Sequence, residues 1–276
     1  MGKGFKIFLV ILLSIIAIAL SGILALLIMR SPSTGFVFSF GDSMYSENLI
    51  EEETFEEMKD IKVNTKSVDV LVETGDEEVI NVKLYSDDAE EYSITDGKTI
   101  NVVLKNKNKV FNLFRKGGRV VITVPKDFEN KIIVNGGVGD VKLSSLPNAY
   151  LSVDKSVGDV KAEKINKADI RITTGDIKIS KINELDAKIT TGDVKLGSVN
   201  GYVKIASTTG DIKIEKANIL ENSSIKNNVG DVKIESINKI YVDAKTNVGD
   251  VKIGTIDRRS DVELVITSNI GDVKVG

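Results

Sequence analysis

The hydrophobic pattern along the chain changes three times, and each change predicts a different element. Residues Ile7 to Met29 form an uncharged run of 23 residues, IFLVILLSIIAIALSGILALLIM. At 1.5 Å per residue a helix of that length reaches about 35 Å, enough to cross a hydrocarbon core of about 30 Å. The run exceeds the 7–15 residues of a cleavable signal core, and no A-x-A site follows it. It reads as an uncleaved transmembrane signal anchor within residues 1–30. Residues 31–60 lose the pattern and carry Phe36, Phe38, Phe40 and the acidic cluster Glu51, Glu52, Glu53, Glu56 and Glu57. They read as an acidic spacer. From Ile61 to residue 134 the period becomes two: IKVNT, VDVLVE, VINVKLY, INVVLK and RVVITV predict half-buried strands. Thr74-Gly75-Asp76 and Thr95-Asp96-Gly97 are turn signals.

Residues 135–276 carry a repeat. Gly-Asp-[Val/Ile]-Lys followed by an apolar residue occurs eight times, with Gly at 139, 158, 175, 192, 210, 230, 249 and 271. The spacings run from 17 to 22 residues. Aligned on that Gly, the positions five before, two after, four after and seven after are apolar in every copy that has them. A unit of about 18 residues has no core of its own, so these columns are buried only if units stack. The expected fold is all-β: a right-handed parallel β-solenoid of about 18 residues per coil, preceded by the single N-terminal helix. The hand follows the preference of parallel crossovers, and the recurring Gly answers to a turn that needs positive φ. An antiparallel meander is the competing fold, but it gives no reason for one turn residue at one phase throughout.

The strand after each Gly points two charges outward: Asp140, Asp159, Asp176, Asp193, Asp211, Asp231, Asp250 and Asp272, and Lys142, Lys161, Lys178, Lys195, Lys213, Lys233, Lys252 and Lys274. Stacking predicts two adjacent ladders of opposite sign. They serve solubility and register, or bind an anionic or zwitterionic polymer. Calcium is a third reading, weakened by the missing nine-residue period and by the neighbouring Lys. Thr173, Thr190 and Thr208 share a phase with Asn228, Asn247 and Asn269, which predicts a hydrogen-bonded side-chain ladder. The last copy ends at Gly276 without its corner residue, so an uncapped C-terminal coil is expected, open to cover by a partner or to self-association with a second copy.

Composition removes most chemistry. The chain has no Cys and no His, so thiolate and imidazole sites, triads and disulfides are excluded. The repeated acids are spread along the stack rather than gathered as an acid–base site requires. No enzyme activity and no cofactor are expected. Net charge is −3, which gives no electrostatic basis for nucleic acid. Lys3 and Lys6 precede the apolar run and Arg30 follows it, so the positive-inside rule places the N-terminus in the cytoplasm and the remainder outside the cell membrane. One segment stands out from the acidic region 31–134: Lys105, Lys107, Lys109, Arg115, Lys116 and Arg119 surround Phe111 and Phe114. It reads as a hairpin tip, or as a contact for anionic wall polymer, lipid headgroups or an envelope-stress membrane protein.

The T-T-G-D-[VI]-K-[LI] copies over residues 60–276 resemble the putative-adhesin family of bacterial envelope β-strand-repeat proteins, which includes LiaG-type membrane proteins. That resemblance implies a membrane-attached or exported β-solenoid without known catalysis and an association with envelope-stress regulation. It carries no binding residues across. The function expected is a non-catalytic surface scaffold or adhesion module, with a regulatory accessory role in envelope-stress sensing as the alternative.

Overall fold

A computed structural model describes residues 46–107, 117–254 and 256–276. The apolar run 7–29 and the spacer up to residue 45 lie outside them, as do Lys109, Phe111, Phe114, Arg115 and Lys116. Among the described residues no helix is long and apolar enough to cross a membrane. Ser43–Gly276 forms one compact unit, and its nineteen described strands, numbered in chain order, join into one mostly parallel sheet folded into two faces.

The β-branched alternation found in the sequence makes each strand, and the Gly-Asp turn makes the fold-over in the eight repeat coils. On the first face the order is β5 (Ala89–Thr95), β6 (Thr99–Asn106), β2 (Asp60–Lys66), β8 (Lys131–Val138), the second halves of β9 (Val141–Val157), β10 (Val160–Thr174), β11 (Ile177–Thr191) and β12 (Val194–Thr209), then β14 (Ser223–Val229), β18 (Glu263–Ile270) and β16 (Tyr241–Val248). On the second face it is β1 (Leu49–Phe55), β4 (Ile80–Tyr85), β7 (Gly118–Pro125), β3 (Val68–Gly75), the first halves of β9 to β12, β13 (Ile212–Ile219), β15 (Val232–Ile237), β19 (Val273–Val275) and β17 (Val251–Ile253). Strands β9 to β12 run unbroken round the corner between the faces. There the register slips, by two residues between Ile165 and Lys167 (opposite Leu146 and Tyr150) and by one between Ile182 and Glu184 (opposite Val199 and Tyr202).

The core is the set of apolar columns between the faces. Val141, Val160, Ile177, Val194, Ile212 and Val232 are at most 1% exposed, and the corner residues Leu146, Ile165, Ile182 and Val199 at most 2%. Each such side chain contributes about 1.5–3 kcal/mol of burial before chain entropy is subtracted.

Three sequence expectations change. Residues 49–55, taken as spacer, form β1, which pairs antiparallel with β4. Their Thr and Phe positions give the stretch enough β character to add an edge to the second face. The strands on either side of the basic-aromatic segment, β6 and β7, do not pair with each other as the arms of a hairpin would. They pair in parallel with β2 and β3 and so lie on opposite faces. The third change is the stacking order. The coils do not follow the sequence at either end: β2/β3 sits between β6/β7 and β8/β9, and β18/β19 sits between β14/β15 and β16/β17. Because every coil presents the same in-register edge to both neighbours, an end coil can be inserted as well as appended.

Candidate functional site

The turn edge is built from backbone necessity. Gly192 has φ +138, and a Cβ on it would lie 1.9 Å from the carbonyl oxygen of Gly175 in the coil beneath. Only Gly meets both conditions, the left-handed backbone and the close approach. The Asp that follows has a role beyond its charge. Its carboxylate accepts a hydrogen bond from the backbone N–H of the next Asp in the stack. The Asp159 amide donates to Asp140 Oδ1 (3.0 Å), Asp176 to Asp159 (2.9 Å), Asp193 to Asp176 (2.8 Å), Asp211 to Asp193 (2.9 Å), Asp231 to Asp211 (2.9 Å), Asp272 to Asp231 (2.8 Å) and Asp250 to Asp272 (2.9 Å). All eight predicted aspartates therefore share one row, in the order 140, 159, 176, 193, 211, 231, 272, 250. A ninth joins it: the Asp140 amide donates to Asp69 Oδ1 at 2.7 Å. The sequence concealed Asp69 because no Gly precedes it. Its coil turns at Ser67, whose φ is +56. The V-D-V-L-V pattern of β3 was the available signal.

These bonds set the acidity of the row. At Asp159 partial burial favours the neutral acid, but the Asp176 amide and the Lys161 ammonium hold the carboxyl below its usual range. Asp193 is held down in the same way by Asp211 N–H and Lys195. Carboxylates committed to amides are poor candidates for a calcium shell of six to eight oxygens. Among the described residues no group of three or more acidic side chains is arranged to hold a metal ion.

The lysines form the second row, with Lys142, Lys161, Lys178, Lys195, Lys213, Lys233, Lys274 and Lys252 in successive register. Their ion pairs are uneven. Lys161 bonds Asp159 (2.9 Å) and Lys195 bonds Asp193 (3.0 Å), whereas Lys213 and Lys233 both turn to Glu235 (3.1 and 3.0 Å). A further pair, Lys181 and Lys216, stands near the corner on either side of Ser198, three residues beyond the first row. Between the two lysine rows lies a dent of about 500 Å³ over Gly197 and Ser198, framed by Lys178, Lys181, Lys195, Lys213 and Lys216, with Glu215 as its one acidic wall. Gly197 keeps the floor low, and a Cβ there would stand 2.6 Å from the Ser180 carbonyl oxygen. Among the described residues Lys178, Lys181 and Lys216 have no carboxylate within 4.0 Å. Sequence reasoning missed this dent because it counted the Gly-Asp-x-Lys ladder and not the second lysine column beside it.

The basic-aromatic segment is not drawn together as a patch by its described members. Lys105 pairs with Glu91 on the first face (2.8 Å), and Arg119 lies over the Tyr85 ring at 4.7 Å on the second. Lys107 is exposed. The asparagine ladder is present: Asn269 donates to Asn228 at 3.0 Å and Asn247 bonds Asn269.

Inside the turn edge lie polar side chains that the apolar pattern did not reveal, on either side of Ile172 and Ile189 in one column. Lys155 is 3% exposed and its ammonium donates to the Val68 carbonyl at 3.3 Å. Burial pushes its pKa down to about 8, against the pull of Asp69 and Asp140. Further along, Asn227 bridges the Gly210 and Gly230 carbonyls, between buried Ser207 and Ser268.

An in-register, mostly parallel two-faced sheet defines an all-β repeat protein, and comparison with known proteins supplies the family. The model of the Toastrack DUF4097 family matches residues 58–275, so the chain belongs to that family. The family has no known catalytic activity. No curated protein matches the chain. It is similar to the solved structure of a putative adhesin from Bacteroides fragilis NCTC 9343, at 16% identity over 84% of this chain and 98% of that one, with a TM-score of 0.45. A putative cell adhesion protein from Clostridium sporogenes ATCC 15579 matches at 15% identity over 82% and 98%, with a TM-score of 0.28. A putative lipid binding protein from Parabacteroides distasonis ATCC 8503 matches at 15% identity over 83% and 98%, with a TM-score of 0.41.

Proposed function

We propose that this chain is a non-catalytic cell-envelope protein, held in the membrane by residues 7–29, whose right-handed solenoid stands outside the cell as a surface scaffold and adhesion module. Its ligand is an anionic wall polymer. The observation that carries the ligand is the lysine-framed dent over Gly197 and Ser198, where three ammonium groups lack carboxylate partners among the described residues. Lys178, Lys195 and Lys213 stand in successive coils spaced about 4.7–4.9 Å, with Lys181 and Lys216 two coils apart beside them, and such an array matches a linear polyanion better than a single small ion. Exposed charges of this kind bind through salt-sensitive attraction.

The test is binding of the full chain, in detergent, to a purified polyol-phosphate polymer at two salt concentrations. The triple variant Lys178→Glu, Lys181→Glu, Lys216→Glu is compared with wild type. Affinity should fall at least tenfold in the variant and should weaken with salt in the wild type. Equal affinity in both proteins would remove the dent as the ligand site.

A further inference from the structure

The outermost coil at the C-terminal pole is β16/β17, and its core is open. Val251 is 39% exposed and Ile253 36%, whereas the same two positions in the other seven Gly-Asp coils are at most 6% exposed. Strand β16 is paired on one side only, with β18, and β17 only with β19. The opposite pole is finished differently. There antiparallel strands β1 and β5 form the outer edges and carry Glu51, Glu52, Glu53, Glu90 and Glu91. Like charge along an edge discourages a second strand from pairing with it.

The β16 edge has no such guard. Its sequence, Tyr-Val-Asp-Ala-Lys-Thr-Asn-Val, contains no Pro. It carries one acid and one base, Asp243 and Lys245, which pair with each other at 2.9 Å. If a second copy lies antiparallel along this edge about a two-fold axis, only the register centred on Ala244 sets opposite charges face to face, Asp243 of each copy opposite Lys245 of the other. Centring on Asp243 or on Lys245 sets like charges together. In the Ala244 register Val242 also meets Thr246, both on the inner side. We propose that this pole is the docking site for a second copy of this chain, paired edge to edge through β16 in the Ala244 register, so that each open core is covered by the other. This inference stands apart from the polymer reading, since it uses none of the lysines in the dent.

The test is sedimentation of the full chain in detergent, with four forms of the protein. Wild type should be a dimer. Asp243→Lys alone and Lys245→Asp alone each place like charges opposite, and each should weaken the dimer at least tenfold. The double variant Asp243→Lys, Lys245→Asp should restore it. An equimolar mixture of the two single variants should form a one-to-one heterodimer, which also shows that both fold. A wild type that is monomeric at 100 µM (roughly a hundredfold above a micromolar dissociation constant) overturns the proposal. So do single variants that dimerise as well as wild type, since association would then run through another surface.

Discussion

At the scale of single residues, the Gly-Asp pair works through the backbone. The Gly leaves room for the carbonyl below, and the Asp accepts the amide above, a charge-assisted bond of the stronger kind. The Lys beside it is optional to the coil, which is why some members of the row turn to Glu235 instead. Lys155 is the exception within the core. It occupies the column position held by Ile172 and Ile189 in the next coils, and Gly136 beneath it makes the space. Its pKa of about 8 lies below the ordinary 10.5, so between those values the unfolded chain binds the extra proton. Wild-type stability therefore rises with pH across that window, and the buried charge costs roughly 1–3 kcal/mol at neutral pH. Lys155→Met should raise unfolding stability by about that amount at pH 7. The gain should shrink by pH 10.5, as read by urea denaturation at both values.

At the scale of elements, stacking order separates this fold from a simple coil. Strand β18 is enclosed between β14 and β16, although it comes last but one in the chain. Strand β16 is an edge, although β18 follows it. Thr267 and Lys245 are register partners, so they make a matched pair for testing this order. Proline removes a ladder donor and is tolerated at edges far better than inside a sheet. Compared in the monomeric Asp243→Lys background, Thr267→Pro should cost about 3 kcal/mol or more, and Lys245→Pro less than half of that. Denaturant midpoints of the two variants check this, and sequence-order stacking would reverse their rank.

At the scale of the whole described unit, the two poles differ in finish. One is closed by antiparallel edges bearing acids, and the other exposes its core columns. Local opening follows the number of partners a strand has. In the monomeric Asp243→Lys variant, amide exchange should be slowest in β10, β11 and β12, which run continuously round the corner. It should be faster in β16 and β17 than in β5 and β6. Mass-resolved hydrogen exchange gives that ranking directly. Protection in β16 equal to that in β11 would mean the pole is not open.

The repeat made the coil legible before any coordinates. Columns that stay apolar at one phase, such as Val141 to Val273, must face a common interior, because water penalises them equally in every copy. The Gly followed from the turn and the aligned Asp row from stacking. Three features could not be read that way. Asp69 lacks the Gly that marks its equivalents, so local spacing did not include it. The dent at Gly197 needs side chains from three coils, 178–181, 195–198 and 213–216, whose separation in the chain is set only by how far each coil rises. The inserted order of β2/β3 and β18/β19 was hidden for the reason that the repeat was visible: identical edges accept any neighbour equally. Chain chemistry specifies what one coil is and which side faces inward. The choice of which coil lies beside which, and hence which edge is left open, belongs to long-range closure of the connecting loops.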